Sequence, residues 1–378
     1  MRITDLRVFR MAAPTGGSTN WMFVRIETDE GIHGIGEASL QYKDDALEAE
    51  LLDFRKFLIG KDPFRIDHIW TSLYRRVTWT GGAVTISAIS AIDLALWDIK
   101  GKALGVPVYE LVGGESHDRI RIYANGWFGG ADAPESYAEK AAAAVADGYT
   151  AIKLYPFSGT QGARQDRLSR GTAVVKAVRD AVGPDIEIAI DIRGRMNMWS
   201  ARRVAQRLEP YDLAWLEEPV MFDNVDAIAQ LAREVNVPVA TGEQLYTRWE
   251  FRALLEQNAV GIIQPDICHA GGMSELRKIA AMAETYYVMV VPHNSNGPIS
   301  TVASLHLDMS IPNSYLQEVF VNWLPVYGEA LTNPLVIEDG HCRPPDGPGW
   351  GTDIDEAALA KYPPVAYTPV ESEPYLQF

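Results

Sequence analysis

The chain has 378 residues, 47% of them hydrophobic, and a formal net charge of −16 at pH 7. That is enough apolar material for one large core plus a smaller module, and too acidic for the basic footprint of a general nucleic-acid binder. The first eight residues are charged from the start and lack the apolar stretch of a secretory leader. No window approaches the roughly 18 uninterrupted apolar residues of a membrane span. Cys268 and Cys342 lack the spacing of a disulfide framework or a zinc site. The expectation is a cytoplasmic protein with neither nucleic-acid nor membrane partners.

In chain order, residues 2–9 and 21–28 carry β-type residues around a polar, glycine-containing loop that begins at Pro14, which predicts an antiparallel hairpin. A third strand, 31–37, follows the turn at Asp29. Residues 44–58 and 83–102 read as helices; in the second, Ile86, Ile89, Ile92, Leu96 and Ile99 recur along one face. The Gly113-Gly114 pair marks a boundary. From about residue 120, apolar runs of strand length alternate with helical patterns. The runs are 120–125, 151–155, 186–191, 213–217, 237–243, 261–266, 288–293 and 314–318. Such a βα alternation predicts a (β/α)8 barrel rather than an open sheet. The tail beyond 345 is proline-rich and acidic but keeps Trp350, Tyr367 and Tyr375, so it is expected to fold back on the rest. The units expected are 1–118, 119–345 and 346–378.

The ends of the runs point to chemistry. The second ends in Lys153-Leu-Tyr155, and the next six end at Asp191, Glu217, Glu243, Asp266, His293 and Glu318. Barrel enzymes place catalytic groups at the C-terminal ends of their strands. Neighbouring strands lie about 4.8 Å apart, so Asp191, Glu217 and Glu243 on consecutive strands would repel one another unless a hard divalent cation joined them. Mg²⁺ suits such a ligand set. Glu218 follows Glu217 and should point elsewhere by strand alternation. Asp266 and His293 are expected as neighbours, the carboxylate fixing the tautomer of the imidazole. His269 is a weaker candidate, and His306 reads as a packed residue.

These residues resemble the enolase superfamily, and within it the mandelate-racemase-like group. The likeness is carried by residues 87–102, by Trp215-Leu-Glu-Glu-Pro, Thr241-Gly-Glu, Gln264-Pro-Asp and His293, and by the equal spacing of the three carboxylates. It implies a modified barrel under an α+β capping domain built from both chain ends, with loops near 14–21 closing over a small anionic hydroxy or sugar acid. It implies Asp191, Glu217 and Glu243 as Mg²⁺ ligands and Asp266 with His293 as the acid/base dyad. Glu318 would hydrogen-bond the substrate carboxylate or the enediolate, and Lys153 would stabilise charge. It also implies an even-numbered homo-oligomer such as an octamer.

Two positions depart from the pattern. Tyr155 stands where the second lysine of a Lys-x-Lys motif is expected. Arg193 stands where acid-sugar dehydratases of the group carry a histidine that protonates the leaving hydroxyl. Arginine is a poor proton donor, so Arg193 would depress the phenol of Tyr155 or bind a substrate hydroxyl or second carboxylate. Tyr155 is either a second base or simple packing. The leading expectation is a dehydratase (a lyase). A racemase, epimerase or cycloisomerase is the alternative, and an inactive sugar-acid binding protein is the non-enzymatic one.

Overall fold

A computed structural model describes residues 1–16, 19–75, 78–157 and 164–366. Tyr367 and Tyr375, and the centre of the 14–21 loop, lie outside the described residues. The N-terminal part is an antiparallel sheet in the order β1 (Ile3–Ala12), β2 (Asn20–Thr28), β3 (His33–Glu37). Three helices follow: α1 (Asp44–Leu58), α2 (Ile66–Arg75) and α3 (Ala83–Leu104). The sequence showed no separate signal for α2. α3 was expected to bury one face, yet it is buried on all sides from Ile86 to Ile99. The reason is its place between β3 and the helix Gly272–Glu284. It lies directly on β3 because Gly34 and Gly36 carry no side chains. A Cβ at either would stand 2.0 Å from a carbonyl oxygen of α3.

The second part is a closed parallel barrel. Its strands are β4 (Ile120–Asn125), β5 (Ala151–Leu154), β6 (Glu187–Asp191), β7 (Trp215–Glu217), β8 (Val239–Thr241), β9 (Ile262–Ile263), β10 (Met289–Val290) and β11 (Gln317–Phe320). They pair in chain order, β11 pairs with β4, and a parallel bridge from Val290 to Ser314 closes the ring. β9 and β10 are only two residues long. Beyond them an isolated bridge joins Asp266 to His293. A short hairpin, β12 (Ile337–Glu338) and β13 (His341–Cys342), pairs antiparallel with the start of β4. Its two-residue strands left no periodic signal.

The residues after 345 return to the N-terminal sheet. Trp350 is buried, and its indole N–H donates to the Ile35 carbonyl at 2.9 Å. Asp353 meets His33 Nε2 at 2.5 Å and Lys102 Nζ at 3.2 Å. Glu356 pairs with Arg25 at 2.8 Å and Arg7 at 3.1 Å. The cap is therefore built from both ends of the chain, as the resemblance implied. Among the described residues, no helix is long and apolar enough to cross a membrane.

Candidate active site

One residue from each strand, or from the backbone flanking it, fills the barrel interior: Tyr123, Ala151, Ala189, Trp215, Ala240, Ile262, Val291 and Leu316. Side chains alternate along a strand, so a residue two positions further returns to the same interior, one layer nearer the mouth. Adding two gives Asn125, Lys153, Asp191, Glu217, Gly242, Gln264, His293 and Glu318. The polar strand ends are thus the next layer of a barrel whose lower layer is apolar.

Asp191 and Glu217 are register partners on β6 and β7. Glu243 joins them beyond Gly242, which turns the chain at φ 130°. The three offer carboxylate oxygens that lie within 4.8 Å of one another. Burial, and then the Glu217 charge, push the Asp191 carboxyl well above its ordinary range, with Lys153 opposing. An all-oxygen set of this charge suits a hard divalent cation. Glu217 is further fixed by Gln264 Nε2 at 2.6 Å and by the indole N–H of Trp215 at 2.9 Å. Glu218 turns away at φ 42°. It accepts from Thr241 Oγ1, from the Gly242 N–H at 3.1 Å and from Gln244 at 3.2 Å, tying β7 to the end of β8.

Lys153 is 1% exposed, with Nζ 2.6 Å from Glu217 Oε1 and 2.7 Å from Glu318 Oε1. Burial works against its charge, but the two carboxylates outweigh burial and raise its pKa well above the ordinary value. Glu318 also accepts from Asn125 Nδ2 at 2.7 Å and from the Asn294 N–H at 2.8 Å. Despite burial, Lys153 and then His293 hold Glu318 below the usual carboxylate range. An ionised carboxylate only accepts hydrogen bonds. Glu318 is held as an acceptor for Lys153, Asn125 and the Asn294 N–H.

Across the mouth, His293 Nδ1 lies 2.7 Å from Asp266 Oδ2 and Nε2 lies 3.4 Å from Glu243 Oε2. Burial disfavours the imidazolium, while Glu243, Asp266 and Glu318 together push its pKa up to about 10. Asp266 stays ionised although fully buried, because His269, His293 and the Cys268 N–H outweigh burial. His269 Nδ1 sits 2.8 Å from Ser87 Oγ, but its Nε2 is 3.9 Å from Asp266, beyond a hydrogen bond. His306 is a packed residue, wedged between Tyr109 and Trp350, and burial lowers its pKa to about 3.

Tyr155 lies beside the carboxylate cluster. Burial pushes its phenol well above the ordinary value; Lys153 pulls the other way, and Asp191 and Glu318 reinforce burial. Its hydroxyl lies 2.6 Å from Asn125 Nδ2. Arg193 stacks its guanidinium over the Tyr155 ring, 5.7 Å from the centroid. It is held there by a left-handed backbone (φ 59°) and by an N–H bond to Asp191 Oδ1 at 2.7 Å.

Sequence reasoning missed Asn125, Gln264 and Asn296 as site residues. Asn125 was findable, since it ends the first barrel run at the same mouth as the polar ends of the other seven. Asn296 lies outside any run and gave no signal.

A family model for the mandelate racemase/muconate lactonizing enzyme N-terminal domain matches residues 2–113, and one for the enolase C-terminal domain-like fold matches residues 136–358. A D-galactonate dehydratase of Ralstonia nicotianae is 40% identical over 95% of this chain and 94% of its own length. One from Variovorax paradoxus is 38% identical over 98% and 97%. A crystal structure of a member of the enolase superfamily from Salmonella Typhimurium superposes with a TM-score of 0.90 at 35% identity, covering 96% of this chain and 98% of that one.

Proposed function

This chain belongs to the mandelate racemase/muconate lactonizing enzyme family of the enolase superfamily, and from that premise we propose that it is an acid-sugar dehydratase. Its substrate would be a small anionic sugar acid, and its product the 2-keto-3-deoxy acid. The observation that carries the reading is the placement of His293. One ring nitrogen is fixed by Asp266 at 2.7 Å, and the other faces the carboxylate cluster through Glu243 at 3.4 Å.

A proton beside a carboxylate is barely acidic, so its removal needs positive charge where the enediolate forms. Asp191, Glu217 and Glu243 would hold Mg²⁺, which supplies that charge next to the substrate carboxylate. Lys153, kept protonated, adds a fixed positive charge from the floor of the site. Glu318 and Asn125 orient Lys153 and, through its phenol, Tyr155. With the charge of Glu243, the largest of those that raise its pKa, taken up by the bound cation, His293 would be neutral and would take the proton from carbon 2. The same proton then goes to the hydroxyl on carbon 3, which leaves as water when its carbon–oxygen bond breaks. The enol that remains takes up a proton at carbon 3 and becomes the keto acid. One group serves both transfers, so the absence of a second lysine at Tyr155 is no obstacle.

A racemase or epimerase needs a second base on the opposite face. Lys153 is engaged by two carboxylates and burial pushes the Tyr155 phenol up, which weighs against that reading. A mere binding protein would not require the Asp266–His293 pair. The test is a panel of acid sugars, beginning with D-galactonate, assayed in D₂O for 2-keto-3-deoxy products. Product with deuterium at carbon 3 supports the proposal. Deuterium exchange into two epimers without product, or no reaction with any acid sugar, refutes it.

A further inference from the structure

Regular pairing of β9 and β10 stops at Ile263 and Val290, short of the two residues that form the dyad. The segment 294–297 that follows His293 has no regular structure either. A single isolated bridge joins Asp266 and His293, and hydrogen bonds add to it from three directions. The Asn296 amide donates to both oxygens of Asp266, at 3.1 and 2.8 Å, while the Cys268 N–H donates to Oδ1 at 2.8 Å. Together these set the plane of the carboxylate that His293 Nδ1 docks on. The Asn296 carbonyl accepts from the Tyr327 hydroxyl at 2.6 Å. The next residue is gripped from the capping sheet: Glu37, the last residue of β3, accepts from the Gly297 N–H at 2.5 Å and the Ser300 N–H at 2.9 Å. Those N–H groups open the helix Pro298–Ser310 and have no partner within it. Ser39 Oγ donates to the same carboxylate at 2.5 Å. Glu37 fits only because position 297 is glycine; a Cβ there would lie 2.8 Å from its Oε1.

We propose that Asn296 and Glu37 are positioning residues for the Asp266–His293 pair, so that the last residue of the capping sheet sets the aim of the base in the barrel. The chain of contacts runs Glu37, Gly297, Asn296, Asp266, His293, and each link is a hydrogen bond or a peptide bond. Without Asn296 the Asp266 carboxylate keeps two partners but can turn about its own axis, and the imidazole turns with it. A misplacement of about 1 Å at a reacting group costs on the order of a hundredfold in rate. The proposal uses the dehydratase reading only in taking His293 as the group that moves the proton.

The test uses Asn296→Leu, Glu37→Gln and the double variant, all Mg²⁺-loaded. The expected result is a drop in kcat of about 10- to 100-fold in each single variant, with KM within about threefold and circular dichroism unchanged. The double variant should lose less than the product of the two single losses, because both act on one segment. A second readout needs no substrate: ¹⁵N resonances of the His293 ring report which nitrogen carries the proton. The wild type should show one defined ring environment, and both variants an averaged one. Should Glu37→Gln fold poorly, Glu37→Asp retains the charge, shortens the reach, and should give the same averaged ring. A wild type inert toward every acid sugar would refute the dehydratase reading alone, leaving the ring measurement to decide this proposal. A His293 ring unchanged in both variants, or a loss confined to KM, overturns it.

Discussion

Lys153→Met should separate the electrostatic role of this side chain from its packing, since methionine keeps most of the length and none of the charge. In the native protein Nζ lies 2.6 Å from Glu217 and 2.7 Å from Glu318, with the side chain 1% exposed. Removing one partner of a buried ion pair costs about 3–5 kcal/mol, because the other charge is left without compensation. Here two carboxylates lose their counterion, so the upper end of that range applies. For a protein of this size that is a fall in Tm of roughly 5–10 °C in chelator. The gap should narrow in excess Mg²⁺. The variant site is one charge more negative, binds the cation more tightly, and gains more from it by mass action. Proton exchange at carbon 2 in D₂O should fall by about a hundredfold or more, the scale of a lost fixed charge at a developing anion. Thermal unfolding with and without Mg²⁺, beside the exchange rate, measures all three. A variant that melts with the wild type in chelator and exchanges within tenfold of its rate would show that Lys153 is a packing residue, and the proposed charge arrangement would fail.

Chelation should abolish turnover and Mg²⁺ restore it; Glu217→Gln and Glu243→Gln should weaken metal binding, by calorimetry, without unfolding the metal-free protein. Full activity in excess chelator would exclude the metal site. His293→Asn should lower turnover by at least about a hundredfold, whereas Tyr155→Phe should be mild, since a phenol pushed up by burial is no base at neutral pH; equal losses in steady-state assays would reinstate Tyr155. Asp93 is fully buried, accepts from the Ser274 N–H at 2.9 Å, and is pushed by burial from 3.8 up to about 7. The folded state thus keeps a proton that the unfolded chain releases first, and this contribution, about 4 kcal/mol at most, is present below about pH 4 and lost as pH rises to about 7. Asp93→Asn should flatten the pH dependence of urea stability over that window, and identical slopes would refute the assignment. Sedimentation at micromolar concentration should give an even-numbered oligomer; a monomer alone would count against the family expectation.

What the sequence made legible follows from geometry. Strand alternation and a polar mouth above an apolar interior are local patterns, so Lys153, Asp191, Glu217, His293 and Glu318 announced themselves at the ends of apolar runs. The length of α3 was equally plain, but not its burial on every side, because that depends on a glycine pair, Gly34 and Gly36, which lets β3 come against it. Glu37 and Asn296 were invisible for a similar reason. Glu37 meets Gly297 across 260 residues, and no spacing rule spans that distance. The protonation of Tyr155 and Glu318 could not be read because it is decided by burial and neighbours together. Lys153, Arg193 and the metal argued for a depressed phenol, while burial, which no sequence pattern shows, pushes it up in the metal-free protein.

The clasp between the end of the chain and the first sheet has a consequence for synthesis. Trp350 meets Ile35 across 315 positions and Glu356 meets Arg7 across 349. On the ribosome β1–β3 emerge first, yet the residues that cover them emerge only after the whole barrel. For that interval the sheet stands without its lid of tryptophan and acidic side chains, and contacts of such long sequence separation form slowly. A nascent chain of this kind exposes apolar surface and strand edges to its neighbours, the condition under which aggregation competes with folding. The cap, first to be made, should be the last part to reach its native state.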